Sequence, residues 1–280
     1  MKKIIRFLFF ILLFILLILI YGRYIGTDGL ITKEYKINAD IPEYFDGLKI
    51  VHFSDLHYLR VTDSKKLKQV VEEINLIDPD IVFFTGDLID KDFELKEEEK
   101  EKLINLLKDI NSKYGKYSII GNHDEVKEDD LINEIYENSN FILLRNEYDI
   151  IYGNNNDKIF IGGLDTYSYK KADIQKVMDY FNNNEDISDK IILIHEPDYV
   201  DTLLNDYNVS LVLSGHSHNG QINIPFIKKY FLPFGSEKYY ENYYKINNTD
   251  LYISSGIGMS RINLRMLNKP SINFYRINKQ

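Results

Sequence analysis

Eight short runs of β-branched and aromatic residues recur along this chain, and five of its six histidines fall at or just past the ends of such runs. The runs are "LKIVHFS" (48–54), "DIVFFTG" (80–86), "KYSIIG" (116–121), "KIFIGGL" (158–164), "DKIILIH" (189–195), "NVSLVLSG" (208–215), "DLYISSG" (250–256) and "SINFYRI" (271–277), and each reads as a strand. Helical patterns lie between the early ones. Leu67, Val70, Val71, Ile74 and Ile77 form an apolar face at spacings of three and four, with Ser64 as the expected cap and Asp78-Pro79 as the stop. "EEEKEKLINLLKDI" (97–110) repeats the scheme, and "DIQKVMDYF" (173–181) and a piece after Pro197 are weaker copies. Strand and helix in alternation predict a layered α/β fold. The strand-rich last sixty residues add a second, mixed sheet.

The strand ends carry the chemistry. "FSDLHYL" sets Asp55 and His57 two apart, "TGDLID" holds Asp87, "GNHDE" holds Asn122, His123 and Asp124, and "LIHEPD" holds His195. "LVLSGHSHNGQI" (211–222) adds His216 and His218. In open α/β sheets, ligands bind at this edge. Any one of these histidines could be a satisfied turn residue, but five at strand ends point to a shared site. In an extended chain, side chains two apart face the same side, so D-x-H and H-x-H would each aim two ligands at one point. Gly215 would let the backbone turn closely there. Imidazole with carboxylate suits Mn, Fe, Co, Ni or Zn. Asp55, His57, Asp87, Asn122, His195, His216 and His218 are seven ligands, too many for one metal. Two divalent ions sharing a carboxylate can use them, at about 3.5–4 Å apart. His52 lies on the other strand face and carries no expected chemistry.

Composition excludes several alternatives. There is no cysteine, so disulfides and thiolate metal sites are absent. A net charge of −9 without a long basic run argues against a nucleic-acid partner. The N-terminus, "MKKIIRFLFFILLFILLILIYGRYIG", is apolar from Phe7 to Ile20. It is just long enough to span a bilayer, and no A-x-A-like cleavage site follows, so an uncleaved anchor is expected rather than a signal peptide. Lys2, Lys3 and Arg6 precede the span and Arg23 alone follows it closely. The charge bias predicts a cell-membrane protein with one pass, the N-terminus cytoplasmic and the main domain outside.

"SDLH", "TGDLID", "GNHD", "IHEPD" and "SGHSHNGQ", in this order, resemble the calcineurin-like metallophosphoesterase superfamily over about residues 46 to 278. "GHSHNGQI", the aromatic segment after it and "SSGIG" look most like its membrane-associated or exported bacterial members, which include phospholipid-related and lipid-A-precursor-like hydrolases. The resemblance implies a four-layer α/β/β/α sandwich of two mixed sheets behind the transmembrane helix. It divides the chain into a stub and anchor (1–28), a lead-in (29–45) and a phosphoesterase domain (46–280). It implies that Asp55, His57 and His218 hold one metal, that Asn122, His195 and His216 hold the other, and that Asp87 bridges them. His123 becomes the acid that protonates the leaving oxygen or steadies the phosphoryl group, held by Asp90, or less favourably by Asp124. The implied reaction is in-line hydrolysis of a phosphate ester by a hydroxide shared between the ions. A diester, phospholipid or lipid-linked pyrophosphate is the expected substrate. The competing reading is a non-catalytic, membrane-tethered metal-binding or interaction protein on the same fold; a lost ligand or a lost His123 would favour it, and none is missing.

"FIKKYFLPFGSEKYYENYYK" (226–245) is read either as a wall or lid that meets the bilayer surface or as an aromatic-packed loop over the second sheet. Glu241 or Asn242 stands where the family pattern has a glycine. Arg261 and Arg265 are expected to meet phosphate or to lie on solvated strand faces.

Overall fold

A computed structural model describes residues 1–154, 157–183, 187 and 190–280. Twelve strands form two six-stranded mixed sheets among these residues. The first sheet holds β1 (Ile31–Ala39), β2 (Leu48–Phe53), β3 (Ile81–Thr85), β4 (Gly115–Ile119), β5 (Phe141–Leu143) and β12 (Ser271–Lys279), in the order β1-β12-β2-β3-β4-β5. The second holds β6 (Glu147–Tyr152), β7 (Lys158–Gly163), β8 (Lys190–Ile194), β9 (Leu211–Ser214), β10 (Tyr243–Ile246) and β11 (Thr249–Ile253), in the order β10-β11-β9-β8-β7-β6. β2 to β5 run parallel, as do β7, β8, β9 and β11. Their C-terminal ends therefore form the edge where the titratable residues collect.

Alternation along each central strand sets the layers. Ile50, Phe83, Ile119, Ile161, Leu193 and Leu213 meet between the sheets. Val51, Phe53, Val82 and Phe84 face outward onto α2 (Ser64–Ile77), α3 (Glu97–Lys108) and α4 (Asp129–Asn138). On the far side, Phe160, Ile192, Val212 and Ile253 pack with α5 (Ile174–Met178) and α7 (Val200–Asp206); the short α6 (Tyr180–Asn183) lies between these two helices in sequence. The result is an α/β/β/α sandwich. Covering both faces explains why these strands read as continuous apolar runs.

The eight strand runs all form strands. β1, β5, β6, β10 and α4 have no counterpart in the sequence reading, and β1 lies within the segment read there as a lead-in. Asp63, not Ser64, caps α2, accepting from the Lys66 amide at 2.8 Å. Its carboxylate sits in extended backbone one residue earlier, where an N-cap side chain can reach back. Before β1, α1 (Lys2–Ile20) continues as a π-helical turn, Tyr21–Ile25. Together they make one helix of 24 residues, long and apolar enough to cross a membrane.

Candidate metal centre

The strand-end residues do converge. His218 Nε2 lies 3.1 Å from His57 Nε2 and 3.4 Å from Asp55 Oδ1. Asp87 Oδ2 lies 3.6 Å from His57 Nε2 and 3.4 Å from His195 Nε2. His195 Nε2 is also 3.2 Å from Asn122 Oδ1. Two triads have ligand atoms within 4.8 Å of one another, Asp55–His57–His218 and Asp87–His195–His216; a third, His57–Asp87–His123, overlaps them. Asp87 thus stands between the two groups. Every member is buried except Asn122, which is partly exposed.

The backbone reaches this arrangement differently from the extended geometry expected for D-x-H and H-x-H. Asp55, His57, Asp87, His216 and His218 all have φ between 42° and 65°. Left-handed backbone costs a non-glycine residue about 1–2 kcal/mol. Such strain persists only where the surroundings fix it, and it gathers at functional sites. Here the fixing is visible. After β2 and β3 the chains keep pairing, Asp55 N–H to Gly86 O at 2.9 Å and His57 N–H to Asp87 O at 3.1 Å. The His216 N–H donates to Asp55 at 3.1 Å and ties the sheets together. Gly215 serves close approach rather than a left-handed turn, since a Cβ there would sit 2.7 Å from Asp55 Oδ2.

Two of the rings are aimed by a carbonyl at the second nitrogen, whereas His218 Nδ1 is buried without a hydrogen-bond partner. His195 Nδ1 lies 2.7 Å from Thr85 O, and His216 Nε2 lies 2.8 Å from Phe234 O. Donation to a carbonyl leaves His195 Nε2 and His216 Nδ1 with free lone pairs facing the cluster. Asp90 is fully buried, accepts from Arg60 Nε at 2.7 Å, and lies 3.4 Å from His57 Nδ1 and 3.6 Å from His123 Nδ1. Burial works to raise the Asp90 carboxyl, but the adjacent His57 imidazole and hydrogen bonds from Arg60 and the Asp92 amide outweigh it and hold it well below the carboxylate range. Asp124 faces the other way, accepting the amides of Gly121, Asp87 and Leu88 at 2.8–2.9 Å, and burial pushes it up to about 7. His52 bonds Thr85 Oγ1 and Tyr275 Oη inside the inter-sheet core.

The donor set fits divalent cations. Burial pushes Asp55 up and Asp87 adds to that push, while for Asp87 the imidazoles of His195 and His123 outweigh burial and hold it low. Two buried carboxylates with imidazole lone pairs turned toward them call for positive charge between them.

A cleft of about 600 Å³ opens over the cluster. Asp87, Asn122, His123, His216 and His218 form its floor, with Arg60, Lys91 and Arg261 at its sides. Tyr230, Phe231, Pro233 and Phe234 form an apolar wall. Within segment 226–245, Tyr230, Phe231, Pro233 and Phe234 line the cleft as a wall, while Tyr239 and Tyr244 pack onto the second sheet. Arg265 does neither thing expected of it. It is fully buried and donates to the carbonyls of Ser255, Gly256 and Gly258 at 2.6–2.9 Å, holding the loops behind the cluster. Arg60, Thr85 O and Phe234 O were missed from sequence. A backbone carbonyl carries no residue signature, and Arg60 is marked only by standing three residues after His57.

Comparison with known proteins gives the family and the fold. The calcineurin-like phosphoesterase family model matches residues 48–220. The Bacillus subtilis (strain 168) metallophosphoesterase YkuE is 34% identical over 259 residues, covering 92% of this chain and 88% of its own. The Chlamydia muridarum (strain MoPn / Nigg) UDP-2,3-diacylglucosamine pyrophosphatase LpxG is 30% identical over 243 residues, covering 70% of this chain and 72% of its own. Among solved structures, the Haemophilus influenzae NAD nucleotidase NadN shares the fold with a TM-score of 0.51 at 16% identity, over 75% of this chain and 45% of its own. The chain belongs to the calcineurin-like phosphoesterase family and is a metal-dependent phosphoric ester hydrolase.

Proposed function

We propose that the chain is a membrane-anchored phosphoesterase with two metal ions, acting on a phosphate ester that carries an apolar group. The observation that carries this reading is the position of Asp87, with one oxygen within 3.6 Å of ring nitrogens from both groups. Asp55, His57 and His218 would hold one ion, Asn122, His195 and His216 the other, and Asp87 both. Bound there, divalent ions supply positive charge to the phosphoryl oxygens and lower the pKa of water. The neutral Asn122 ligand keeps the site cationic toward phosphate.

The chain's own groups do the rest. His123 lines the cleft, its Nδ1 toward Asp90 and its Nε2 3.5 Å from Ser260 Oγ. Nε2 is the atom that would give a proton to the leaving oxygen. Burial holds this imidazole down to about 4. An arriving phosphate anion favours the charged ring and raises that value. Arg60 and Arg261 flank the path of the phosphate, and the aromatic wall excludes water from an apolar substituent.

A phospholipid or a lipid-linked pyrophosphate satisfies both surfaces of the cleft. The LpxG relative is named for a substrate of the second kind. The helix Lys2–Ile25 would span the bilayer once, N-terminus inside, with the cleft outside. The test is elemental analysis of the purified chain, followed by hydrolysis with Mn, Fe, Ni or Zn. Diesters, monoesters, phospholipids and nucleotide–lipid pyrophosphates would be compared. Two ions per chain and preference for an apolar substituent are expected. One ion in fully active protein would sink the shared-carboxylate scheme.

A further inference from the structure

No spacer separates the apolar helix from the folded domain. The helix runs unbroken from Lys2 to Ile25, 24 residues. At about 1.5 Å per residue this is roughly 36 Å, against a hydrocarbon core of about 30 Å. Its last turn is already seated on the domain. The Arg265 N–H donates to Gly22 O at 2.9 Å. A Cβ on Gly26 would lie 2.0 Å from Arg265 O, and one on Gly22 would lie 2.9 Å from Met266 Cε. At Gly26, against backbone, only glycine allows the chain this close, while at Gly22 a Cβ would have to displace the flexible Met266 side chain. Small residues four apart are how membrane helices approach a partner. Tyr21 and Tyr24, exposed on the same turns, suit the interface between lipid and water.

The seat leads directly to the cleft. Met266 donates its N–H to Gln221 O at 3.1 Å and accepts the Asn223 N–H at 2.9 Å. Just beyond Asn223, Phe226 is 92% exposed and Tyr230 76%; Leu267, next to the seat, is 67% exposed. Lys229 and Lys269 are exposed among them. Tyr230 also lines the cleft. Exposed apolar and cationic side chains thus stand beside the C-terminal end of the apolar helix.

We propose that this face is seated in the surface of an anionic lipid bilayer, so that the cleft opens onto lipid rather than onto bulk water. The inference rests on the helix being a retained membrane span. Phe226, Tyr230 and Leu267 enter the boundary between headgroups and acyl chains, and Lys229 and Lys269 meet lipid phosphates. A second copy of this chain is the weaker occupant, because the patch is continuous with the helix that fixes the membrane's position.

Because the chain has no cysteine, single cysteines can carry a fluorophore. Full-length Phe14→Cys, Phe226→Cys, Leu267→Cys and Tyr152→Cys would be placed in vesicles of phosphatidylcholine and phosphatidylglycerol containing spin-labelled lipid. Tyr152 pairs with Lys158 at the start of β7, the end of the sheet away from the cluster. Loss of fluorescence is expected at 14, 226 and 267 and not at 152. Quenching at 14 alone would show an anchored chain whose domain stands off the membrane, and would overturn the proposal. No quenching at 14 would remove the membrane span itself and the proposal with it. Adding Gly26→Ile should abolish quenching at 226 while sparing 14. Retained quenching at 226 would show that the glycine seat does not set the orientation.

Discussion

The first sheet brings the carboxylates of the cluster, Asp55, Asp87 and Asp90, whereas the second brings imidazoles, His195, His216 and His218. The two sets are also held differently. His57 and His123, on the first sheet's loops, lean on the Asp90 side chain. His195 and His216 lean on the backbone carbonyls of Thr85 and Phe234. A carbonyl fixes a tautomer without adding charge, while a carboxylate fixes it and raises proton affinity. The carboxylates reach across this division: Asp87 outweighs burial at His195 and raises its proton affinity, whereas at His123 burial wins over Asp87 and Asp90. The triads Asp55–His57–His218 and Asp87–His195–His216 each draw on both sheets and exist only when the two are packed, whereas His57–Asp87–His123 comes from the first sheet alone.

Substituting the residue that serves both triads tests this division most severely. Asp87→Asn should lower the content of both ions and remove nearly all turnover, whereas His216→Ala should lose one of two ions. Elemental analysis beside hydrolysis of a nitrophenyl ester separates the cases. An Asp87→Asn protein that keeps both ions and its activity would break the comparison.

The next effect is smaller and tests His123, on the first sheet's side, as the proton donor. His123→Ala should keep both ions while turnover falls roughly 10²–10⁴-fold, the usual worth of a general acid. The loss should be least for a nitrophenyl leaving group and greatest for an alkyl one. Equal losses across that series would mean His123 stabilises phosphate charge rather than donating a proton. Loss of an ion would make it a ligand.

The smallest effect concerns the core that joins the sheets. Burial pushes fully buried His52 down from 6.5 to about 3. Unfolded chain takes up a proton below pH 6.5 that folded chain refuses until about 3, so this residue makes stability fall as pH drops through that window. The slope is about 1.4 kcal/mol per pH unit. His52→Gln, which keeps hydrogen-bonding groups for Thr85 and Tyr275, should flatten the fall in melting temperature between pH 7 and 5. Parallel slopes for variant and parent would contradict it.

Legibility in the sequence followed local pattern. The central strands announce themselves because both faces are buried, and the ligand residues because histidine and aspartate rarely gather at strand ends by chance. Edge strands fail that test. β10 is half exposed, and its "YYKI" alternates too briefly to stand out from the aromatic loop before it. β1 reads as a mostly exposed lead-in because its partner is β12, at the other end of the sequence. Arg265 was misjudged for a related reason. Its partners are three carbonyls, and no residue type near it signals that they converge. The left-handed turns of Asp55 and His216 were equally hidden, because these residue types do not advertise positive φ as glycine does.

The placement of β12 has a consequence for how the molecule is made. It inserts between β1 and β2, pairing Asn273 with His52 and Ser271 with Ile31. β2 is synthesised some 220 residues before that neighbour exists. At roughly 5–20 residues per second, the ribosome needs about 10–45 s to cover the gap. Throughout that interval one edge of "LKIVHF" has no partner, and a bare apolar edge pairs with whatever strand it meets. The first sheet must wait for nearly the whole polypeptide, so a ribosome stalled short of residue 271 releases a chain with an open seam.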